Sequence, residues 1–178
     1  SASVYGNPEW VNGMPPKVKE NEAICPLSNY ANGKFFMETQ LRMYNDFYNL
    51  PSTSLRYFSV WGIPQTPKEG SHSWNISIWT MLGMKEKPFK VFGDGLQVRD
   101  YTHISEIAEA TVQCLFNPKT DGKVFNVGTG IPTTVLDVAI EIQKYFPYSK
   151  IEFTPKKVHG DPLGCSADNS LMKELLGW

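Results

Sequence analysis

Tyr30 and Lys34 stand four residues apart in the run Tyr30-Ala31-Asn32-Gly33-Lys34. On a helix, positions four apart are neighbours on one face, so the phenol and the ammonium at this spacing can share a site. A free tyrosine loses its proton at about pH 10, too high for a base at neutral pH. A lysine close by favours the phenolate and lowers that value, which is what a proton-abstracting tyrosine needs. A hydroxyl donor in the same site, such as Ser1 or Ser3, would hold the substrate oxygen. The same spacing also fits an ordinary surface pair, and the tetrad alone does not separate the two readings.

Other chemical signals are weaker. Gly93-x-Gly95 and Gly128-x-Gly130 are GxG fragments, but Val98 and Thr133 stand where the third glycine of GxGxxG would fall, so both read as turns. A phosphate-cradling dinucleotide loop is therefore absent from these 178 residues. His72, His103 and His159 lie far apart, and no metal site is expected. Arg99-Asp100-Tyr101 follows a glycine turn and precedes a helix. An arginine there fits either a local salt bridge or a pairing with phosphate. Cys25, Cys114 and Cys165 are odd in number and form no CxxC, so neither a disulfide framework nor a zinc site is indicated.

These residues need elements to position them. Ser28 or Asn29 caps a long helix reaching about Asn49, with residues 30, 34, 37, 41, 44 and 48 on one face. Before it, Gly6 to Leu27 reads as a proline-rich loop. Ser1 to Tyr5 reads as the end of a strand, and Thr53 to Val60, β-branched and aromatic, as a buried strand. A helix is expected over Trp74 to Met84 and a short strand over Phe89 to Phe92. Ile104, Ile107, Ala108, Val112 and Leu115 repeat with a helical period. Lys123 to Val127 reads as a strand, and Val135, Val138, Ala139, Ile142 and Phe146 as a second amphipathic helix capped by Thr134 with Asp137. Ile151 to Phe153 and Asn169 to Leu176 supply a last strand and helix. Strands alternating with helices define the α/β class with parallel strands.

Composition excludes several function classes. The chain is 41% hydrophobic and 20% charged, enough for a core and unlike a disordered segment. Lys plus Arg number 17 against 18 for Asp plus Glu, so nothing drives general nucleic-acid binding. No apolar run is long enough to span a membrane. Asn75-Ile76-Ser77 fits a glycosylation pattern, but nothing else points to secretion, and a cytoplasmic location is expected. The chain opens Ser1-Ala2-Ser3 without an initiator methionine, which suggests a missing upstream segment.

Six segments, read in order, resemble the extended short-chain dehydrogenase/reductase family, and within it nucleotide-sugar epimerases of the UDP-glucose 4-epimerase type. Ser1-Ala2-Ser3-Val4-Tyr5-Gly6 is similar to SSxxVYG, and Tyr30 with Lys34 matches YxxxK. Residues 55–62, Leu-Arg-Tyr-Phe-Ser-Val-Trp-Gly, are similar to LRYFNVYG. Gly93-Asp94-Gly95 through Ile104 is similar to GDGxxxRDYxHV, residues 125–130 to YNVGTG, and His159-Gly160-Asp161 through Trp178 to a closing GD…AD…LGW segment. In this family the dinucleotide fingerprint precedes the SSxxVYG strand. The resemblance therefore implies a C-terminal half: part of a Rossmann-type parallel sheet plus a smaller substrate-binding α/β subdomain. Residues 1–62 would be the remnant of the dinucleotide-binding domain. Residues 63–178 would be mostly the substrate-binding subdomain, with 100–130 returning to the sheet.

What the resemblance implies for chemistry is specific. Tyr30 would be the general acid/base at a sugar hydroxyl, Lys34 would hold the nicotinamide ribose of NAD, and Ser1 would be the catalytic Ser/Thr, with Ser3 a close alternative. Tyr57 and Phe58 would line the cofactor. Ser3, Ser59, Asn75, Arg99 and Tyr101 would face a nucleotide-diphosphate sugar, with Arg99 on the diphosphate. Three positions depart from the pattern: Ser59 replaces Asn, Val158 stands where RxGD has its arginine, with Lys156 and Lys157 nearby, and Glu106 replaces Asp. Dehydratases and decarboxylases of the family carry an acidic residue between the Ser/Thr and VYG. Ala2 and Ser3 stand there, which favours an epimerase. The rival expectation is a catalytically silent module that binds sugar nucleotide or self-associates. The helix from residue 28 and the unpaired strand edges would drive a homo-oligomer.

Overall fold

The computed structural model describes residues 1–67, 74–155 and 161–178. Its elements are β1 (Lys17–Val18), α1 (Asn29–Tyr48), β2 (Ser54–Tyr57), β3 (Ser59–Trp61), α2 (Asn75–Gly83), β4 (Phe89–Phe92), β5 (Val98–Arg99), β6 (Tyr101–His103), α3 (Ile104–Leu115), β7 (Val124–Val127), β8 (Thr133–Thr134), α4 (Val135–Gln143), β9 (Ile151–Thr154), β10 (Ser166–Ala167) and α5 (Ser170–Leu176). Helices and mostly parallel strands alternate, as the α/β class and a partial Rossmann domain require. β1–β10, β2–β7, β3–β6 and β4–β9 pair parallel, and β5–β8 antiparallel.

Three apolar clusters hold these elements. Ile107, Ala110 and Cys114 of α3 pack with Phe125, Val127 and Met172, covering one side of the β2–β7 pair. Trp79, Phe89, Val91, Val135 and Ala139 join α2, β4 and α4. Val4, Tyr5, Val18 and Cys165 form the third, with Phe35 and Phe58 at its border. The repeat expected for α4 faces a core. On α3 only Ile107 of the expected repeat is buried, whereas Ile104, Ala108, Val112 and Leu115 are exposed. The face of α3 that packs on β2 and β7 is Ile107, Ala110 and Cys114. Thr134 caps α4 through its hydroxyl to the Asp137 amide, and His103 with Glu106 closes a capping box on α3. The Glu106 departure from the family pattern therefore keeps the cap.

Two expected strands differ. Residues Ala2–Tyr5 form a 3₁₀ turn, not a strand. The amides of Val4 and Gly6 bond locally to the carbonyls of Ser1 and Ser3, and the Ser1 hydroxyl caps the turn, so the backbone is satisfied without a neighbouring strand. Thr53 to Val60 is not one buried strand. Ser54–Tyr57 runs beside β7, the chain changes partner at Phe58, and Ser59–Trp61 runs beside β6. Only Ser54 and Arg56 of this stretch are buried, so one face of β2 packs inward while the other is half open. The change of partner is what separates the strands: the Phe58 amide still bonds to Val127, while the Ser59 amide already bonds to Asp100. The short β1–β10 and β5–β8 pairs carry no alternating pattern long enough to read.

α1 also differs in the face it buries. The inward stripe runs through Ala31, Lys34, Phe35, Glu38 and Leu41. Tyr30, Met37, Tyr44 and Tyr48 of the expected stripe are exposed, together with Phe36, Met43 and Phe47. Lys156, Lys157, Val158, His72 and His159 lie outside the described residues.

Cys25 is exposed, whereas Cys114 and Cys165 are buried and all three thiols are free. Burial pushes the Cys165 thiol up to about 12 and raises that of Cys114 as well. An aromatic disulfide reagent at pH 8 is expected to modify one thiol of the native chain rapidly and three after denaturation. Rapid reaction of two or more native thiols would show that the α3 or β10 packing is wrong.

Candidate active site

An open cavity of about 1200 Å³ runs along β2, β3 and β5. Its walls bring together Ser1, Ser3, Tyr30, Lys34, Tyr57, Phe58, Ser59, Asn75, Arg99 and Tyr101. All ten residues named from the sequence thus line one space, although they lie on eight different elements or connections.

The base of the site is the start of α1. Ser28 accepts from the Ala31 amide and so fixes where the helix begins. That start places Tyr30 in the first turn and Lys34 in the second, with the Lys34 Nζ 5.6 Å from the Tyr30 ring centroid. The phenol and ammonium therefore meet as their spacing requires. Tyr30 is 61% exposed and faces the open side of the cavity. Opposite, the 3₁₀ turn sets the Ser1 and Ser3 hydroxyls 2.9 Å apart. Either hydroxyl can turn its proton outward while accepting from the other, so the pair offers one outward donor.

A second wall carries Asn75, Tyr101 and Arg99. The Asn75 amide donates to the Tyr101 hydroxyl at 2.7 Å, and burial raises the Tyr101 phenol above its ordinary value. Arg99 donates to Asp161 at 2.6 Å and to the carbonyls of Val98 and Pro162. The expected local salt bridge is present, with Asp161, and Arg99 also lines the cavity. Tyr57 lines the cavity but its hydroxyl is partnered by Thr111 of α3 at 2.7 Å. Phe58 packs its ring 6.4 Å from that of Tyr5.

Sequence reasoning missed the buried groups that hold these walls. Arg56 is 4% exposed and gives three bonds to Glu38, one to the Tyr5 hydroxyl and one to the Glu20 carbonyl. Tyr5 passes its own proton to Asn126 at 2.7 Å, and burial pushes its phenol up to about 12. Glu38 lies one turn beyond Lys34, so continuing the 30–34 spacing by four reaches it. Asp100 is 1% exposed and accepts from the backbone amides of Thr129, Gly130 and Ala167 and from the Thr129 hydroxyl. Its neighbour Arg99 drew attention first. Gly128 lies against it: a Cβ there would sit 2.7 Å from the Ala167 Cβ and 2.8 Å from Asp100 Oδ2. The glycine is needed for close approach. Among the described residues no group of three or more His, Cys, Asp or Glu is placed to hold a metal.

A parallel α/β framework with a Tyr-x-x-x-Lys helix and a serine pair on one cavity defines a class, and comparison with known proteins agrees. The model of the NAD dependent epimerase/dehydratase family matches residues 1–128. The chain belongs to that family. It is 33% identical over 172 residues to a UDP-glucose 4-epimerase of Mycolicibacterium smegmatis, covering 94% of this chain and 53% of that protein. It is 31% identical over 176 residues to an uncharacterized UDP-glucose epimerase of Bacillus subtilis, covering 99% and 52%. Among solved structures, UDP-glucuronic acid 4-epimerase from Bacillus cereus, in complex with UDP-glucuronic acid and NAD, superposes with a TM-score of 0.87 at 30% identity, covering 100% of this chain and 54% of that one. The chain spans about half the length of the relatives it matches.

Removing the Glu38 carboxylate leaves a buried guanidinium uncompensated. Glu38→Ala is expected to destabilise the fold by about 3–5 kcal/mol. Chemical denaturation checks this, and a loss within ~0.5 kcal/mol, the range of an ordinary surface change, would refute the network as drawn.

Proposed function

We propose that this chain is the catalytic and substrate-facing part of an NAD-dependent nucleotide-sugar epimerase. The observation that carries the reading is the meeting of Ser1, Ser3, Tyr30 and Lys34 with Arg99, Asn75 and Tyr101 on one cavity, in a chain of the epimerase/dehydratase family. Arg99 supplies the cation that a sugar diphosphate requires, and its planar guanidinium suits a phosphate better than a point charge would. Ser1 donates to the sugar oxygen that is to be oxidised. Tyr30 removes the proton from that hydroxyl and later returns it, so its oxygen cycles between phenolate and phenol. The Lys34 ammonium lies beside the Tyr30 ring.

The residues present fit one end of NAD. Tyr30, Lys34, Tyr57 and Phe58 line the same cavity, suited to a nicotinamide and its ribose, whereas a Gly-rich turn for the pyrophosphate is not in this sequence. When bound, NAD would supply the hydride-accepting and hydride-returning group at the sugar carbon. The absence of a carboxylate between Ser1 and Val4 supports epimerase over dehydratase chemistry, because proton removal at a second carbon calls for one. Residues 1–62 and 63–178 form the cofactor-facing and substrate-facing parts in this reading, with 100–130 in the former. Free thiols support a reducing, cytoplasmic location.

The exposed stripe of Phe36, Met43 and Phe47 on α1, continued by Tyr44 and Tyr48, supports a homo-oligomer formed through this helix. Light scattering at high micromolar concentration is expected to give a dimer or larger species. A monomer mass would overturn that part.

A second reading, a nucleotide-sugar-binding module without turnover, draws on the committed hydrogen bonds of the Arg99 wall and the open side at Tyr30. The test separates the two. The chain alone is expected to bind NAD weakly. When it is joined to a family nucleotide-binding half, Tyr30→Phe is expected to lower kcat by about 10²–10⁴ with nucleotide-sugar affinity unchanged. No turnover in the joined wild-type protein favours the silent module. Turnover that survives Tyr30→Phe at more than half its rate removes Tyr30 from the mechanism.

A further inference from the structure

Residues 161–165 cross the cavity rim without belonging to any helix or strand, yet their backbone is held from two sides. On one side the Val98 amide donates to the Leu163 carbonyl at 2.7 Å, pinning the segment to β5. On the other, the Leu163 amide donates to Asn7 Oδ1 at 2.7 Å and the Trp10 indole donates to the Gly164 carbonyl at 2.9 Å. Gly164 has a φ of +103°, and a Cβ there would lie 1.8 Å from the Val98 carbonyl oxygen, so the segment can pass this close to β5 only as glycine.

This strap is also what aims Arg99. Two of the guanidinium's acceptors, the Pro162 carbonyl at 3.1 Å and the Asp161 carboxylate at 2.6 Å, belong to it. Asn7 and Trp10 follow directly on the turn that carries Ser1 and Ser3, more than 150 positions from the residues they hold. A guanidinium recognises phosphate through two parallel bonds, which demands a fixed plane as well as a charge.

We infer that Asn7 and Trp10 are positioning residues: by clamping residues 161–165 they set the orientation of Arg99 toward a nucleoside diphosphate, and so tie the serine wall of the cavity to its anion wall. The inference rests on reading the cavity as a nucleotide-sugar site. Neither residue touches the ligand, and both act through Arg99.

The test uses the 178-residue chain with UDP as the probe, measured by calorimetry. Trp10→Phe keeps an aromatic side chain but removes the N–H together with the pyrrole part of the indole, and Asn7→Ala removes the acceptor. Each is expected to weaken UDP binding by about threefold to tenfold, the worth of one hydrogen bond, with the thermal midpoint near that of the parent. Asn7→Asp, which keeps an oxygen for the Leu163 amide, is expected to restore most of the affinity. The deciding measurement is a double variant. Because Trp10 acts through Arg99, adding Trp10→Phe to Arg99→Ala costs no further affinity, whereas a general structural role would make the losses add. Arg99→Lys serves in place of Arg99→Ala if the latter does not fold. Additive losses, or single variants that bind like the parent, overturn the clamp while leaving the nucleotide-sugar reading intact. A parent chain that takes up no UDP overturns that reading and this inference with it.

Discussion

The Arg56 guanidinium is the constraint on which the candidate site depends. A buried cation in a low-dielectric interior is costly unless each of its donors finds an acceptor. Here the acceptors come from three places: Glu38 on α1, the Tyr5 hydroxyl at the end of the 3₁₀ turn and the Glu20 carbonyl in the loop before α1. Tyr5 in turn donates to the Asn126 side chain on β7. Satisfying one side chain of β2 therefore fixes the helix that carries Tyr30 and Lys34 and the turn that carries Ser1 and Ser3. Asn126 extends the linkage, donating to the Val18 carbonyl while its own amide bonds to Glu20. The Arg56 guanidinium also lies over the Tyr5 ring at 4.9 Å, which adds cation–π attraction to the hydrogen bond. An ion pair of this kind adds little net stability over apolar packing. What it adds is register, because no other rotation of α1 places Glu38 against Arg56.

Asp100 does the corresponding work on the other side. A carboxylate accepts and cannot donate, so it gathers amide N–H groups that secondary structure leaves unpaired. It takes them from the Gly128–Gly130 turn after β7 and from β10, while its own carbonyl accepts the Ser59 amide. The turn, β3, β6 and β10 are thereby held at one point, and Arg99 beside it is directed toward the cavity. Two buried charges of opposite sign thus brace a site whose named residues are half-buried, Tyr30 alone being exposed.

How much of this was legible follows from what each feature depends on. α3 and α4 were readable as helices, and α4 with its buried face and cap, because apolar spacing and caps are local properties. The face that α3 buries was not, because it depends on where β2 and β7 lie. β2 was readable as a strand, but its division from β3 was not, since that reflects which neighbour each residue pairs with. The 3₁₀ turn at Ala2–Tyr5 was misread for the same reason: a strand needs a partner, and serine hydroxyls gave the backbone a local alternative. At the site, Tyr30 and Lys34 were visible through spacing, and Arg99, Asn75 and Tyr101 through resemblance to a family pattern. Asp100 and Arg56 sat inside quoted motifs without drawing notice, because a buried charge has no one-dimensional signature. Its partners lie far away in sequence, and only the fold shows that they converge.

The distribution of constraint along α1 carries the last step. Glu38 and Ala31 are held tightly, whereas Tyr30 stands exposed at the first turn. Helix rigidity transmits the position of Glu38 to Lys34, one turn back, and to Tyr30, two turns back, so the phenol is placed without being enclosed. Precise placement and an open approach are compatible because the anchoring bonds and the reacting group lie on different turns of one helix. The outer stripe of Phe36, Met43 and Phe47 obeys the opposite logic: it is apolar, ordered by the same helix, and covered by nothing within the described residues. Burying that stripe against a further surface would hold the helix from its second side. The fixed inner face and the exposed apolar outer face thus lie on the same element.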